Sequence, residues 1–366
     1  MRDAVWPVVV AATLLHLALV GYFLSQSKQQ KDLTALMFVG EKQSADPGFD
    51  RITHTTRGDG YDGQYYYLLA QNPFQSLGQR LDHPVRHTRI LYPLVCWAFS
   101  GGGDRSALIV VMPLVNLAMI AGLTWLGAWY SRKCDRSPWW GFTLPLVLTI
   151  LAPLLRNLTD PMAYLGAAGL LVAYDRRATG WMIASAAVAV FAREQNLVLA
   201  GIVGLATLWQ RQWWAAGGLL LVAAAWVGWL VKLHDVYGIW ALNPPAGNTA
   251  APFEGIWHWA NWQSYHTRMR VIRVSFGAFF VGQALILGYH AVRWRGPVVF
   301  LAVGAAGVAL AIVAGPAIWD DWWSYVRSLF WLPLAVWLLN VRAGWQPGLW
   351  FGVFSLLFLY GSAKVM

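Results

Sequence analysis

The sequence predicts an all-α, polytopic integral membrane protein of about eleven transmembrane helices, with a first outer loop that carries juxtamembrane helices. Three observations lead there. Of 366 residues, 58% are hydrophobic and only 12% charged, against roughly 25% charged in soluble domains. The chain holds 24 Trp and 14 Tyr, amphipathic rings that collect at membrane interfaces. The net charge of +10 falls largely in short loops between apolar runs, where the positive-inside rule accounts for it. A basic soluble protein would suggest nucleic acid as a partner. Here the charge points to membrane lipids and excludes nucleic acid.

Residues 1–366 read as one transmembrane domain. Val5 to Leu24 is a first apolar span with Arg2 before it. It is long for a signal-peptide core and has no small-x-small cleavage site, so it reads as a retained helix. Residues 26–89 form a long polar segment. Ile90 to Phe99 is apolar but short of the roughly 20 residues a crossing needs, and it ends at Gly101-Gly102-Gly103. Further apolar segments cover Ala107–Tyr130, Trp139–Leu155, Met162–Tyr174, Trp181–Phe191, Leu197–Trp209 and Trp213–Val231. After a second polar stretch, 232–273, come Val274–Tyr289, Val298–Ala314, Leu329–Leu339 and Leu349–Leu359. With the N-terminus in the cytoplasm, Arg132, Lys133, Arg136, Arg176, Arg177, Arg211, Arg293, Arg295 and Arg342 all face inward. That asymmetry puts both long polar stretches outside. No internal repeat is evident.

The chemistry concentrates at the outer face, where charge beside hydrocarbon is costly. The stretch Gly58-Asp59-Gly60-Tyr61-Asp62-Gly63-Gln64-Tyr65-Tyr66-Tyr67-Leu68-Leu69-Ala70 opens with turn chemistry and continues as a helix. On that helix Tyr61, Tyr65, Leu68 and Leu69 share a face, with Asp62 at its start. Asp62 then either caps the helix or presents a carboxylate beside tyrosines, with Gly63 leaving room for a ligand. Arg86 and Arg89 precede Tyr92-Pro93. They read either as anion ligands or as side chains snorkelling to headgroups. Arg156 with Asp160, and Arg193 with Glu194, read as turns with local ion pairs or as site residues. Arg268, Arg270 and Arg273 could clamp a phosphate or anchor a span. The Trp319-Asp320-Asp321-Trp322-Trp323 run is an interfacial belt or a sugar-stacking shelf. Cys96 and Cys134 are far apart, and the outer histidines form no ligand-spaced pair. No metal site is assigned, no cofactor is expected, and a divalent metal is not indicated.

Several of these residues resemble a family. Tyr61-Asp62-Gly63-Gln64-Tyr65-Tyr66-Tyr67-Leu68-Leu69-Ala70-Gln71-Asn72-Pro73-Phe74 is similar to the first-outer-loop motif of bacterial multi-span proteins of cell-surface glycopolymer formation. Arg89-Ile90-Leu91-Tyr92-Pro93-Leu94 is similar to their next motif. Arg156-Asn157-Leu158-Thr159-Asp160-Pro161 and Ala192-Arg193-Glu194 resemble two later ones, in the same order. More distantly, the Asp-plus-aromatic helix before a Tyr-Pro segment resembles the mannosyltransferases of glycolipid-anchor assembly. Both belong with the GT-C class of integral-membrane glycosyltransferases. The motifs cover about the first 200 residues. Asp160 departs from the pattern, since the relatives usually carry Glu there.

The resemblance implies an inverting transfer of a sugar from a polyprenyl-phosphate donor to a lipid- or polymer-linked acceptor. The enzyme would lie in the bacterial cytoplasmic membrane with its active face periplasmic. Asp62 is the expected base, with Asp59 second. Arg89 and Arg193, with Arg268 or Arg270 as alternates, are expected to meet the phosphate. Tyr65, Tyr66 and Tyr92 are expected to line the sugar pocket, and Tyr61, Gln64, Asp160 and Glu194 to complete the substrate site. Two other classes stay open: a lipid-linked glycan flippase or transporter, and a non-catalytic subunit of a polysaccharide assembly complex. A transporter should carry charge within its spans, and these apolar runs are almost free of it.

Overall fold

The computed structural model of the chain describes residues 5–25, 32–148, 150–243, 247–260, 267–293, 296–320 and 322–345. In chain order, α1 (Val5–Ser25) is followed by β1 (Val39–Gly40), β2 (Thr55–Thr56), α2 (Asp62–Gln71), α3 (Val85–Thr88), α4 (Leu91–Phe99) and α5 (Arg105–Lys133). Next come α6 (Thr143–Val147), α7 (Leu151–Leu154), α8 (Asp160–Asp175), α9 (Thr179–Ala192), α10 (Asn196–Trp209) and α11 (Trp213–Tyr237). The last described elements are α12 (Glu254–Ala260), α13 (Thr267–Arg293), α14 (Val298–Val313), α15 (Pro316–Asp320), α16 (Trp322–Ser328) and α17 (Trp331–Ala343).

The protein is helical and membrane-embedded. α1, α5, α11 and residues Arg273–Arg293 of α13 are long and apolar enough to cross a bilayer, since about 20 residues at about 1.5 Å each match the hydrocarbon thickness. Their apolar faces are uncovered: Leu220, Leu221 and Leu285 are 69–70% exposed, a cost in water that lipid removes. α9, α10, α14 and α17 are shorter apolar helices. The predicted span Trp139–Leu155 is broken into a 3-10 turn (Pro138–Phe142), α6 and α7. Pro145 and Pro153 lack the amide that a continuous helix would use. The predicted span Leu349–Leu359 lies outside the described residues. Helix encroaches on the second polar stretch at both ends, because α11 runs on to Tyr237 and α13 begins at Thr267.

The chain divides into two compact units. The first, Val10–Gly122 with Leu151–Asn243, contains the 32–89 segment. This segment is pinned by its own polar side chains. Asp32 caps a 3-10 turn through the Thr34 amide at 2.8 Å. Asp46 caps another through the Gly48 amide at 2.7 Å. β1 and β2 pair in parallel, with Val39 opposite Thr55. Gly58 and Gly60 both have positive φ, and a Cβ on Gly60 would collide with the backbone of residues 38 and 40, so the Gly-Asp-Gly turn requires glycine there.

That turn delivers the chain into α2, which is buried on all sides: every residue from Asp62 to Ala70 is buried, with Asp62 keeping 5% exposure. The expected amphipathic face is therefore absent. α2 lies among Met37, Phe49, Leu158, Met162 and the side chains of α4 and α5, and Tyr67 donates its hydroxyl to the Arg105 carbonyl at 3.0 Å. Gly63 also serves packing rather than a ligand, because a Cβ there would overlap the Arg156 carbonyl. Gly63→Ala is expected to lower stability by about 1–3 kcal/mol through overpacking. Gly201→Ala, in an open position on α10, should be neutral or stabilising. Thermal unfolding of the two variants in detergent checks the contrast.

α8 and α9 pack as an antiparallel hairpin. Gly166 faces the Ala189 backbone and Gly169 faces Ser185, so the N-terminus of α8 and the C-terminus of α9 share one end. α4 begins at Leu91 and stops before Gly101, Gly102 and Gly103, all with positive φ. Gly103 abuts the Gln71 carbonyl closely enough to exclude any Cβ.

The second unit, Met1–Val9 with Leu123–Ile150 and Pro244–Met366, is organised on α17, which is buried from Trp331 to Val341. The Trp337 indole donates to Thr143 Oγ1 at 2.9 Å, and His290 of α13 meets Asn340 at 2.9 Å. Of the Trp319–Trp323 run, read as a belt or a shelf, residue 321 and the side chains of Trp322 and Trp323 lie outside the described residues. Trp319 is buried and donates its indole N–H to the Ala311 carbonyl at 3.1 Å.

Candidate functional site

The first unit gathers the charged residues from three of the four motif segments into one buried network. Asp62 is the first residue of α2. The N-cap position belongs to Tyr61, whose side chain makes no capping bond. Asp62 thus sits one position inside the N-cap that was one of its two readings. Its charge still suits the positive end of the helix, and its carboxylate turns to arginine: Arg86 Nη1 donates to Asp62 Oδ2 at 3.0 Å, and Arg89 Nη1 lies 3.9 Å from the same oxygen.

Both arginines are held from a second side. Arg86 also clasps Asp82 through Nε and Nη2, at 3.3 and 3.0 Å. Arg89 donates through Nε and Nη2 to both oxygens of Glu194, at 2.8 and 2.7 Å, and through Nη1 to the Tyr66 hydroxyl at 2.9 Å. Burial opposes the charge on Arg89, and Glu194 more than restores it, raising its pKa. Burial alone would raise Glu194, but the Arg89 guanidinium outweighs it and holds the carboxyl down to about 2. Arg193 pairs with Asp160, joining the adjacent ends of α9 and α8. The Arg193–Asp160 and Arg89–Glu194 pairs therefore join different elements, where local pairs within each turn were one of two readings. Arg89, read from sequence as a headgroup-level side chain, is only 6% exposed.

Arg156 lies over two rings, its guanidinium carbon 4.0 Å from the Phe38 centroid and 4.3 Å from that of Tyr61. Cation–π attraction of this kind strengthens when water is excluded. Tyr65 stands beside the network with the Arg86 guanidinium 6.0 Å from its centroid, and burial pushes its phenol up to about 12.

Other predicted site residues make bonds within the fold. Gln64 accepts from the Gly40 amide at 3.0 Å and donates to the Asp59 carbonyl at 2.7 Å, stapling β1 to the glycine turn. Tyr92 donates its hydroxyl to the Met112 carbonyl and accepts from Asn116, both at 3.1 Å, which ties α4 to α5. Its ring meets Tyr66 edge-on. The Asp59 carboxylate is 72% exposed and pairs with Lys42, away from the buried network. The Arg268 and Arg270 side chains lie outside the described residues. Arg273 is buried in the second unit, donating to the Trp259 and Asp320 carbonyls at 3.3 and 3.1 Å.

Arg86 and Asp82 are the network members that sequence reading underrated. The signal was their i,i+4 spacing, although Asp82 lies in the bend before α3 and the two meet across the helix entry. His87, one residue on, fastens α3 to α11. Its Nε2 lies 2.8 Å from the Pro73 carbonyl, which can only accept, so Nε2 carries the proton and Nδ1 accepts from the Tyr237 hydroxyl at 2.8 Å. Trp229 donates to the His87 carbonyl at 3.1 Å.

Burial lowers the His87 pKa below 6.5, the Pro73 carbonyl opposes that shift, and the Lys232 charge adds to it. A group depressed on folding binds fewer protons in the native state. Its contribution is therefore complete above about pH 6.5 and is lost as pH falls through the folded value. Unfolding midpoints measured from pH 8 to 5 should drop on the acid side, and His87→Gln should flatten that drop.

Among the described residues, no three His, Cys, Asp or Glu side chains converge as metal ligands. Compared with models of protein families, with curated proteins and with solved structures, the chain matches none.

Proposed function

We propose that this protein is a GT-C-type glycosyltransferase of the cytoplasmic membrane of a bacterium. In this reading it moves a sugar from a polyprenyl-phosphate donor to a lipid- or polymer-linked acceptor on the periplasmic face, for cell-surface glycopolymer assembly. The observation that carries the reading is the buried Asp62–Arg86–Arg89–Glu194 network. It joins a carboxylate to two guanidiniums in a chain whose long helices are otherwise apolar. The motif resemblance adds the substrate class. The reading keeps the expected topology of about eleven crossings with a cytoplasmic N-terminus.

The chemistry asks two things of these residues. The acceptor hydroxyl must lose its proton as its oxygen attacks the anomeric carbon. The bond from that carbon to the phosphate oxygen breaks, and the lipid phosphate leaves with the electron pair. Asp62 takes the proton. Arg86 and Arg89 meet the developing phosphate charge. At rest Asp62 is held by those same guanidiniums, which makes it a weak base. A donor phosphate competes with Asp62 for them and frees the carboxylate as it binds. Arg193 with Asp160 positions the neighbouring helix ends, and Tyr65 and Tyr66 flank the site.

The decisive test is turnover. The purified protein, given a radiolabelled polyprenyl-phosphate hexose and extracted membrane glycan acceptors, should transfer label in a manner abolished by Asp62→Asn. No transfer from any such donor would overturn the reading. One observation favours a second reading. Asp62, Arg86, Arg89 and Glu194 all have partners inside the protein, as a structural subunit of an assembly complex would require.

A further inference from the structure

The second unit gathers basic residues that the transfer chemistry above does not use. Arg132 and Lys133 lie in the last turn of α5, Arg293 ends α13, and Arg342 lies in the last turn of α17. All four are exposed. Arg136 follows α5 and is half-buried. Its amide donates to the Ser131 carbonyl at 2.9 Å, and its Nε donates to the Val341 carbonyl, 205 positions on, at 3.4 Å. Its guanidinium also lies against Gly344, which closes α17 with positive φ. Trp345 continues this surface. Its ring centroid is 4.8 Å from that of Tyr289 and 5.1 Å from that of His290, and the Arg293 guanidinium is 5.9 Å from the Tyr289 centroid. Arg136, Arg342 and Arg293 thus border one surface, with Trp345 and Tyr289 between them.

Selection for positive loops accounts for the sign of each residue taken singly. Packing then brings the ends of three helices together, and like charges held close repel. Little on the chain offsets them: across residues 130–138, 289–298 and 338–346, Asp135 is the only acid. Neither Arg136 nor Arg293 has an ion-pair partner among the described residues. A bound anion would relieve that repulsion, and phosphate suits guanidinium because it accepts two parallel bonds. The depth of the cluster decides what carries the anion. α5 and residues Arg273–Arg293 of α13 are long and apolar enough to cross a bilayer, so their charged ends come to headgroup level, where Trp and Tyr rings also collect. Val292 and Val298, 85% and 58% exposed, offer apolar surface beside Arg293. A soluble anion would cover none of it, and an acyl chain would.

We propose that the ends of α5, α13 and α17 hold one phospholipid with two phosphates, of the cardiolipin type. One phosphate meets Arg136 and Arg342 at the α17 turn, and the other meets Arg293 across the Trp345–Tyr289 pair. Basic pockets between membrane helices take headgroups of this kind. Two linked phosphates gain over one because the second contact forms within a molecule already bound. The lipid would bridge three helix ends, so its binding should stabilise the fold. The site stands on the second unit alone and is independent of sugar transfer.

The experiment is native mass spectrometry of the full-length protein in detergent with equimolar cardiolipin, phosphatidylglycerol and phosphatidylethanolamine. One cardiolipin should stay bound after the other two lipids dissociate, and inorganic phosphate should not displace it. Cardiolipin should also raise the thermal unfolding midpoint, and phosphatidylethanolamine should not. Arg293→Gln and Arg342→Gln should each weaken cardiolipin binding about fivefold. Arg293→Lys keeps the charge and should keep most of the binding, which holds a lost site apart from a lost fold. Arg176→Gln, in the turn of the α8–α9 hairpin, removes the same charge from an exposed position of the first unit and should change nothing. Equal retention of the three lipids, displacement by phosphate, or an equal loss in Arg176→Gln would each overturn the proposal, the last because it would reduce the effect to net charge.

Discussion

Asp62→Asn should leave the protein inserted, monodisperse and able to bind donor, while transfer falls by about 100-fold or more. Asparagine keeps the shape of the side chain and removes the only group in the first turn of α2 that can take a proton. The fold should tolerate the change because neither arginine loses its last carboxylate: Arg86 keeps Asp82, and Arg89 keeps Glu194 and the Tyr66 hydroxyl. Loss of turnover through unfolding would appear as a changed elution profile, which separates the two causes. If Asp62→Asn turns over near-normally, the base lies elsewhere, with buried Asp160 and partly exposed Glu194 the candidates and Asp59 disfavoured by its exposed pair with Lys42.

Arg89→Ala should have the largest effect on stability, about 3–5 kcal/mol, because it leaves a buried charge without its partner. Glu194 is held at about 2 against the opposing pull of burial by the Arg89 guanidinium. With Arg89 gone, burial dominates and the carboxyl either takes up a proton or forces the turn open. Since the folded value lies below the ordinary one, the Glu194 contribution is present above about pH 4.5 and is lost as pH falls through about 2. The double variant Arg89→Ala/Glu194→Ala should be less destabilised than the sum of the single changes, because it removes both charges together. Lysine at 89 should rescue only part, since it lacks the two-pronged geometry that grips both Glu194 oxygens. Denaturant unfolding of the four proteins measures the coupling, and strict additivity would show that the pair holds nothing.

What sequence could show here was local. Apolar runs marked α5, α8, α9, α10, α11 and α14 to within a few residues at most ends, and turn chemistry with a following carboxylate marked the start of α2 at Asp62. Proline punctuation was present at 145 and 153, but average hydropathy masked it, so three short elements read as one span. The partners within the site were out of reach. Arg89 and Glu194 are 105 positions apart, and Arg86 and Asp62 are 24 apart. A pattern of period 3.6 or 2 carries no record of such a meeting. The same limit explains why Arg89 read as a headgroup ligand and α2 as a half-exposed helix. Burial is decided by what packs on the other side, and Leu158 and Met162 come from much later in the chain.

The α8–α9 hairpin also bears on how the first unit holds together. Its two helices meet through Gly166, Gly169, Ala189 and Ser185, small side chains that let backbones touch and hold by contact where lipid offers no hydrophobic drive. The connecting turn, 176–178, carries Arg176 and Arg177, and the opposite tips carry Asp160 and Arg193 as an ion pair. Opening the hairpin would leave one of those buried charges without its partner, a cost of about 3–5 kcal/mol. Closed, the two helices end on a charge-neutral tip. The small-residue seam and the ion pair are therefore kept or lost together, and the hairpin behaves as a single packing unit.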